Sequence, residues 1–167
     1  MKSTPRSNRI HMGIFGRRNV GKSSLINALT GLDIALVSDV PGTTTDPVYK
    51  SMEILPLGPC VLIDTAGLDD IGEIGTLRIQ KTREILEKTD LALLTVSPEL
   101  GWSDYEDRLI EQIKGFGIPW FVILNKRDLD RDMEFLHTLE EMDLSVAAVS
   151  SLTGEGIEEL KKMLAGL

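Results

Sequence analysis

The chain has 167 residues and a mass of 18.4 kDa, which fits one domain with its own hydrophobic core. Its residues are 42% hydrophobic and 26% charged, a composition that excludes a globally disordered protein. The net charge of −8 argues against direct binding of this domain to nucleic acid or to a membrane surface. Cys60 is the single cysteine, so the chain's cysteines can build neither an internal disulfide nor an iron–sulfur cluster.

Residues 1–9 are expected to form a polar N-terminal extension, and residues 10–167 one domain. The extension lacks the apolar core of a signal peptide. No apolar stretch in the sequence approaches the length needed to span a bilayer. We therefore expect a cytoplasmic protein without a membrane partner.

Short apolar runs alternate with amphipathic segments along the chain. Strands are predicted at 10–15, 61–63, 91–96, 120–124 and 145–149. Helices are predicted at 23–29, 76–88, 104–114 and 157–164. Continuously apolar strands separated by helices predict an α/β fold with a mostly parallel sheet and helices on both faces.

The segment 48–55 has a different pattern, because apolar and polar residues alternate along it. A Pro-Leu-Gly-Pro turn follows at 56–59. This combination predicts a half-exposed strand that folds back antiparallel onto the next strand. We expect one antiparallel strand in an otherwise parallel sheet.

Residues 16–23 read Gly-Arg-Arg-Asn-Val-Gly-Lys-Ser and match the phosphate-binding loop G-x-x-x-x-G-K-S/T between a strand and a helix. Successive backbone amides and the positive end of the helix dipole favour phosphate there. Lys22 is predicted to reach the outer phosphates and the Ser23 hydroxyl to ligate Mg²⁺. Nucleotide contacts are predicted for Gly16, Arg17, Arg18, Asn19, Val20, Gly21, Lys22, Ser23 and Ser24. The side chains of Arg17 and Arg18 are expected to be solvent-exposed loop charges, with contact to a partner as the alternative.

Asp64-Thr65-Ala66-Gly67 stands at the end of an apolar strand. A carboxylate at that position can hold Mg²⁺ through water, and the amide of Gly67 can sense the γ-phosphate. A polar segment at 41–47 contains three threonines and could close over Mg²⁺ as a switch loop.

Asn125-Lys126-Arg127-Asp128 follows another apolar strand. Guanine presents its N1–H and 2-amino donors side by side, so one carboxylate, that of Asp128, can accept both, whereas adenine would leave it unpaired. Asn125 is predicted to tie this loop to the phosphate loop, and Lys126 to lie over the base. After the last strand, a backbone amide within Ser150, Ser151 and Leu152 is predicted to contact guanine O6.

With these five segments in order, the chain resembles a P-loop GTPase of the Ras-like fold, which has six strands with the second one antiparallel. Asn19, the Gly-Thr-Thr run at 42–44 and Leu68 after the Asp-Thr-Ala-Gly motif look like a bacterial branch that includes tRNA-modification and ribosome-assembly GTPases. The runs 4–19 and 33–47 further resemble the FeFe-hydrogenase maturation GTPases.

The resemblance implies three features of the site. Asn19 would ligate K⁺ near the transferred phosphate and so supply in cis the charge of an arginine finger. Thr44 would be the Mg²⁺ threonine of the switch loop, with Thr43 and Thr45 as rivals. Leu68 stands where other switches carry a water-positioning glutamine, so intrinsic hydrolysis would be slow. Among the carboxylates further along, Glu73 is the nearest candidate to assist, ahead of Asp69 and Asp70, and a solvated acidic loop is the preferred interpretation of all three. The expected catalytic set is Lys22, Thr44, Gly67 and Asn19.

The resemblance also implies a biological setting. The chain would be the GTPase domain of a longer protein that acts as a GTP/GDP switch in FeFe-hydrogenase cofactor maturation. Its expected partners are other maturation proteins or the hydrogenase itself, with a GTPase-domain homodimer as a possibility. Two alternatives stay open: a nucleotide-state sensor with negligible turnover, and a GTPase of tRNA modification or ribosome assembly.

Overall fold

A computed structural model describes residues 9–31, 47–65 and 75–167, and in these ranges strands alternate with helices. In chain order the elements are β1 (Ile10–Phe15), α1 (Lys22–Thr30), β2 (Val48–Ile54), β3 (Gly58–Asp64), α2 (Gly75–Leu86), β4 (Leu91–Val96), α3 (Asp104–Phe116), β5 (Trp120–Leu124), α4 (Glu134–Glu141), β6 (Val146–Ala148) and α5 (Ile157–Ala165). Two short 3₁₀ turns, Arg127–Leu129 and Arg131–Met133, lead into α4.

The described strands form one sheet in the order β2-β3-β1-β4-β5-β6. β2 runs antiparallel to β3, whereas all the other neighbouring pairs are parallel. The predicted fold class is therefore confirmed, including the antiparallel strand at 48–55. The alternating pattern of β2 reflects its place at the edge of the sheet, where most of its side chains are exposed or only half-buried.

The main differences from the predicted elements concern β3, β6 and α4. β3 begins at Gly58, because Gly58 and Pro59 already pair with Ile54 and Glu53 of β2, so the turn is shorter than predicted. β6 keeps only the central residues of the predicted strand 145–149. The helix α4 was not predicted.

The start of α4 explains why its sequence pattern is hard to recognise. The carboxylate of Asp130 accepts hydrogen bonds from the amides of Phe135 and Leu136, at 2.9 and 3.0 Å. This capping carboxylate stands several residues ahead of the helix, with a 3₁₀ turn between them. The usual spacing of a capping residue to its helix is therefore absent.

Two apolar layers cover the two faces of the sheet, and β4 shows how one strand serves both. Leu91 and Leu93 pack into the layer that contains residues of α1 and α5. Ala92, Leu94 and Val96 pack into the layer beneath α2, α3 and α4. All six residues of β4 are buried, which explains why the strand is apolar without alternation.

The helix α3 begins with a capping box. The Ser103 hydroxyl accepts from the Tyr105 amide at 3.2 Å, and the Glu106 carboxylate accepts from the Ser103 amide at 3.0 Å. Gly117, in the left-handed conformation, ends the helix. These contacts satisfy amides that would otherwise lack partners, and they place Glu106 close to the carboxyl edge of the sheet.

None of the helices within the described ranges is long and apolar enough to cross a membrane.

Candidate functional site

The predicted motifs meet at one edge of the sheet. The phosphate loop follows β1, Asp64 ends β3, the segment 97–103 follows β4, and Asn125 follows β5. Ser150 stands two residues after the end of β6. Because the carboxyl ends of parallel strands share one edge, the fold itself gathers these residues.

Two glycines of the phosphate loop hold backbone conformations that side chains disfavour. Gly16 has φ 148°, and a Cβ added there would lie 2.5 Å from the carbonyl oxygen of Thr95. Gly21 has φ 91°, and a Cβ there would meet the side-chain amide of Asn125. Both positions therefore need glycine for close approach as well as for backbone freedom.

Lys22 lies at the start of α1 with its side chain buried. Its ammonium donates to the carbonyl oxygens of Gly16 and Arg17, the latter at 3.5 Å. The loop thus curls around this ammonium beside the amides that open the helix. Together they form a concave cationic surface of the kind that binds phosphate.

The structure separates the two arginines of the loop. The guanidinium of Arg17 donates to the carbonyl oxygens of Leu100 and Gly101, at 3.1 and 2.8 Å, and to the Glu106 carboxylate at 2.9 Å. The expectation of a solvent-exposed charge is therefore wrong for Arg17, whose side chain is committed to the segment before α3. Arg18 is exposed, as expected.

Asn125 connects three loops through one buried side chain, which is 1% exposed. Its Nδ2 donates to the carbonyl oxygens of Val20 and Gly21, at 3.0 and 3.2 Å. Its Oδ1 accepts from the amide and the hydroxyl of Ser151, at 3.2 and 2.9 Å. The Ser151 amide is used in this way, and the contact to guanine O6 within Ser150, Ser151 and Leu152 stays a prediction.

Lys126 reaches across to the phosphate loop. Its ammonium donates to the carbonyl oxygen of Asn19 at 2.8 Å and forms an ion pair with Glu99 at 2.7 Å. Asn19 itself has a left-handed backbone, with φ 71°, and an exposed side chain. The lysine therefore fixes the carbonyl of the residue that the resemblance assigns to K⁺.

Asp128 is oriented by a buried neighbour. The Ser150 hydroxyl, which is 0% exposed, donates to Asp128 Oδ1 at 2.8 Å and accepts from the Thr153 amide at 3.1 Å. A carboxylate oxygen can accept more than one hydrogen bond, so this contact leaves capacity for a base. The arrangement can present a fixed carboxylate to two adjacent donors.

A cavity of about 380 Å³ lies between the phosphate loop and these base-side loops. Its lining combines predicted contacts with two residues that the sequence did not suggest, Glu99 and Leu129. The full lining is Gly21, Ser24, Glu99, Asn125, Lys126, Asp128, Leu129, Ser151 and Leu152. The volume and the polar groups suit a nucleoside joined to phosphates on the loop.

The donors for Mg²⁺ are in part described. Ser23 lies in the first turn of α1, and Asp64 ends β3 next to the phosphate-loop strand. A hydroxyl and a carboxylate are the hard oxygen donors that Mg²⁺ prefers alongside phosphate oxygens. Within the described ranges, no group of three or more His, Cys, Asp or Glu residues could hold a metal by itself. The Ser23 hydroxyl and the Asp64 carboxylate would fit a Mg²⁺ ion that is also bound by phosphate oxygens.

Several predicted residues lie outside the described ranges. These are Thr43, Thr44, Thr45, Gly67, Leu68, Asp69, Asp70 and Glu73. Their roles in the switch loops stay predictions.

Two acidic residues of the site were missed from the sequence. Glu99 pairs with Lys126, and Glu106 pairs with Arg17. A signal for the second existed, since Ser103-x-x-Glu106 is the pattern of a capping box, but that pattern points to a helix start and not to the phosphate loop. Burial raises the pKa of the Glu106 carboxyl, and this effect outweighs the lowering by Arg17 and by the hydrogen bonds from Ser103.

Comparison with known proteins identifies the family of this chain. Residues 11–126 match the protein family described as 50S ribosome-binding GTPase. The chain belongs to this GTPase family. It is therefore an enzyme that hydrolyses GTP, and the family binds GTP and GDP with Mg²⁺.

Two curated relatives match most of this GTPase. GTPase Der of Wolinella succinogenes is 38% identical in an alignment that covers 93% of this chain and 35% of the relative. The tRNA modification GTPase MnmE of Bacillus licheniformis is 36% identical in an alignment that covers 92% of this chain and 33% of the relative. The chain thus spans about a third of the length of the curated relatives it matches.

Solved structures of Era share the fold. An Aquifex aeolicus Era variant bound to GDP and aluminium fluoride superimposes with a TM-score of 0.76 at 26% identity, over 93% of this chain and 56% of that one. A structure of Era with a magnesium-bound GTP analogue and a segment of 16S ribosomal RNA gives a TM-score of 0.75 at 25% identity, over 93% and 55%.

Proposed function

We propose that this GTPase is a K⁺-stimulated, Mg²⁺-dependent switch domain with a slow intrinsic rate. The observation that supports this proposal concerns Asn19 of the phosphate loop. Lys126 donates to the backbone carbonyl of Asn19, and the Asn19 side chain is exposed. An exposed side-chain amide oxygen on the phosphate loop is a suitable ligand for a monovalent cation.

Hydrolysis would rest on positioning and charge neutralisation, since phosphoryl transfer leaves little covalent chemistry to the protein. Lys22 and the amides at the start of α1 would bind the β- and γ-phosphates. Ser23, Asp64 and Thr44 would hold Mg²⁺, and the amide of Gly67 would contact the γ-phosphate. Bound Mg²⁺ would neutralise charge that develops on the transferred phosphate. Leu68 in place of a glutamine supports the slow rate.

Asp128 would select guanine. Its carboxylate, oriented by Ser150, lies on the cavity that the phosphate loop closes from the other side. The 2-amino group and N1–H of guanine would both donate to it, and the amide of Leu152 would donate to O6. Adenine would leave the carboxylate without donors, which costs binding energy.

For the biological setting, the names of the relatives favour tRNA modification or ribosome assembly over hydrogenase maturation. MnmE is a tRNA modification GTPase, and one Era structure contains ribosomal RNA. Hydrogenase maturation is supported by the resemblance of the runs 4–19 and 33–47 alone. We propose that the domain serves a longer protein and that the net charge of −8 leaves any RNA contact to other segments.

The setting can be tested by filter binding of the GTP-analogue-bound domain to tRNA and to ribosomal subunits. The salt concentrations are about 50 and about 200 mM, a range over which phosphate contacts lose affinity. Retention at both concentrations would support the RNA-linked setting and contradict the predicted lack of direct RNA contact. Absence of retention is the result expected if this domain makes no direct contact with RNA.

The activity is tested by phosphate release from GTP with Mg²⁺ in matched KCl and NaCl, for the wild type, Asn19→Ala and Lys22→Ala. We expect turnover about tenfold faster in K⁺, lost in Asn19→Ala, with nucleotide binding lost in Lys22→Ala. Equal turnover in the two salts would contradict the K⁺ role. Tight GTP binding without turnover in either salt would favour the sensor alternative.

A further inference from the structure

Different contacts fix the two halves of the phosphate loop. The second half is held by Asn125, which donates to the carbonyl oxygens of Val20 and Gly21. The first half is held by charged groups, with the Arg17 guanidinium at its start and the Lys126 ammonium at the carbonyl of Asn19. None of the predicted motifs explains the contact of Arg17 with Glu106.

Several hydrogen bonds and an ion pair fix the side chain of Arg17. One guanidinium nitrogen lies within 3.1 Å of two carbonyl oxygens and 2.9 Å from Glu106 Oε1. The Glu106 side chain is 2% exposed and that of Arg17 is 26% exposed. A carboxylate so far removed from water needs a charged partner, and Arg17 supplies it.

The anchored backbone also contacts a group that acts on the nucleotide. The carbonyl oxygens of Gly16 and Arg17 accept from the Lys22 ammonium. Fixing the Arg17 side chain therefore fixes one of the oxygens that locate this ammonium. Asn19 follows two residues later on the same stretch of loop. Displacements of an ångström at such groups are enough to slow a reaction markedly.

We infer that Arg17 and Glu106 are a positioning pair, which holds the first half of the phosphate loop, and with it Lys22 and Asn19, in the arrangement that GTP hydrolysis needs. This inference rests on the proposed function. The pair acts through Lys22 and Asn19, and its guanidinium points to the start of α3 instead of serving as a phosphate ligand. The cap of α3 thereby becomes part of the phosphate-binding architecture.

A purely electrostatic role makes the opposite prediction for one variant. If Arg17 acted by attracting phosphate, removing the charge of Glu106 would increase the positive potential and strengthen binding and turnover. If the pair acts by position, Glu106→Gln and Arg17→Met both lower turnover. Gln at this place also preserves the capping box of α3, so the variant isolates the ion pair from the helix cap.

The experiment measures kcat and KM for GTP at pH 8, together with the Kd for GDP, in Arg17→Met, Glu106→Gln and the double variant. We expect kcat to fall about tenfold in each single variant, and no further in the double variant, because both changes release the same anchor. The Kd for GDP should change less than about threefold, since Asn125 still fixes the second half of the loop. Arg108→Met, an exposed arginine on α3, is the matched control and should behave as wild type.

Two results would overturn the inference: a rise of kcat in Glu106→Gln, or an unchanged kcat in both single variants below their unfolding temperature. Should Arg17→Met fail to fold, Arg17→Lys replaces it. A lysine keeps the charge but places it on an ammonium with a shorter reach than the terminal guanidinium nitrogen, so an intermediate kcat is expected.

Amide hydrogen exchange separates this inference from the proposed function. If the wild type releases no phosphate, the proposed function fails, and the anchor is then judged on the GDP-bound protein. Exchange at residues 16–21 should be faster in Arg17→Met and Glu106→Gln than in wild type or Arg108→Met. Unchanged exchange there would overturn the positioning pair whatever the turnover.

Discussion

The base side and the phosphate side of the cavity are held together by different chemistry. On the base side, the buried side chains of Asn125 and Ser150 orient their neighbours through hydrogen bonds that involve at most one charged group. On the phosphate side, charged groups hold the first half of the loop: Arg17 pairs with Glu106 in α3, and Lys126, which pairs with Glu99, donates to the carbonyl of Asn19.

The difference follows from what each side must do. Selecting a base requires donors and acceptors fixed in direction, which short buried side chains provide with little loss of rotamer freedom. Holding phosphates requires positive charge. In a chain with a net charge of −8, the cationic side chains must be fixed at the phosphate site although many carboxylates elsewhere attract them. Variants on the base side should therefore change which nucleotide binds, and variants of the phosphate-side pairs should change turnover and pH dependence.

The largest effect is expected from Asp128→Asn. The new amide would donate where the carboxylate accepted, so preference should move from GTP to XTP, whose 2-oxo group accepts. We expect the ratio of the two affinities to change on the order of 10³-fold. Competition binding of the two nucleotides measures this ratio. Asp143→Asn is the matched control, because that residue is exposed and Asn tolerates its left-handed backbone. An unchanged GTP preference would refute the reading of guanine by Asp128.

Most of the residues on the two sides could be predicted from the sequence, because each motif is an unbroken run of residues. The spacing of Gly16, Gly21 and Lys22 predicts the loop, and apolar strands before each motif predict the edge where they meet. The ion pairs were not accessible, since Arg17 and Glu106 are 89 positions apart and each has an ordinary local role. Helix α4 was missed because its capping carboxylate, Asp130, lies beyond the usual spacing.

A smaller effect is expected from Ser150→Ala. The hydroxyl orients Asp128 and also accepts from the amide of Thr153, so its loss removes two hydrogen bonds within the base side. We expect GTP affinity to fall about tenfold, with discrimination between GTP and XTP reduced but not reversed. Calorimetry of both nucleotides measures it, with the exposed Ser51→Ala as control. If affinity for GTP stayed at the wild-type value, Asp128 would be held by its backbone alone.

The smallest effect concerns the phosphate side and pH. The pKa of the Glu106 carboxyl is raised in the folded protein by burial, so the folded state binds its proton more tightly than the unfolded state does. This group's contribution to stability is full below the ordinary pKa of about 4.3 and is lost as pH rises through the raised value. Arg17 limits the loss because it lowers that pKa, and the hydrogen bonds from Ser103 act in the same direction.

In Arg17→Met the stability should therefore fall more steeply with rising pH than in wild type, by no more than about 1.4 kcal/mol per pH unit for one proton. Denaturant unfolding between about pH 4.5 and 7.5 measures the slope, and the double variant with Glu106→Gln should abolish this carboxyl's share of it. Equal slopes in wild type and Arg17→Met would mean that Arg17 does not stabilise the buried carboxylate.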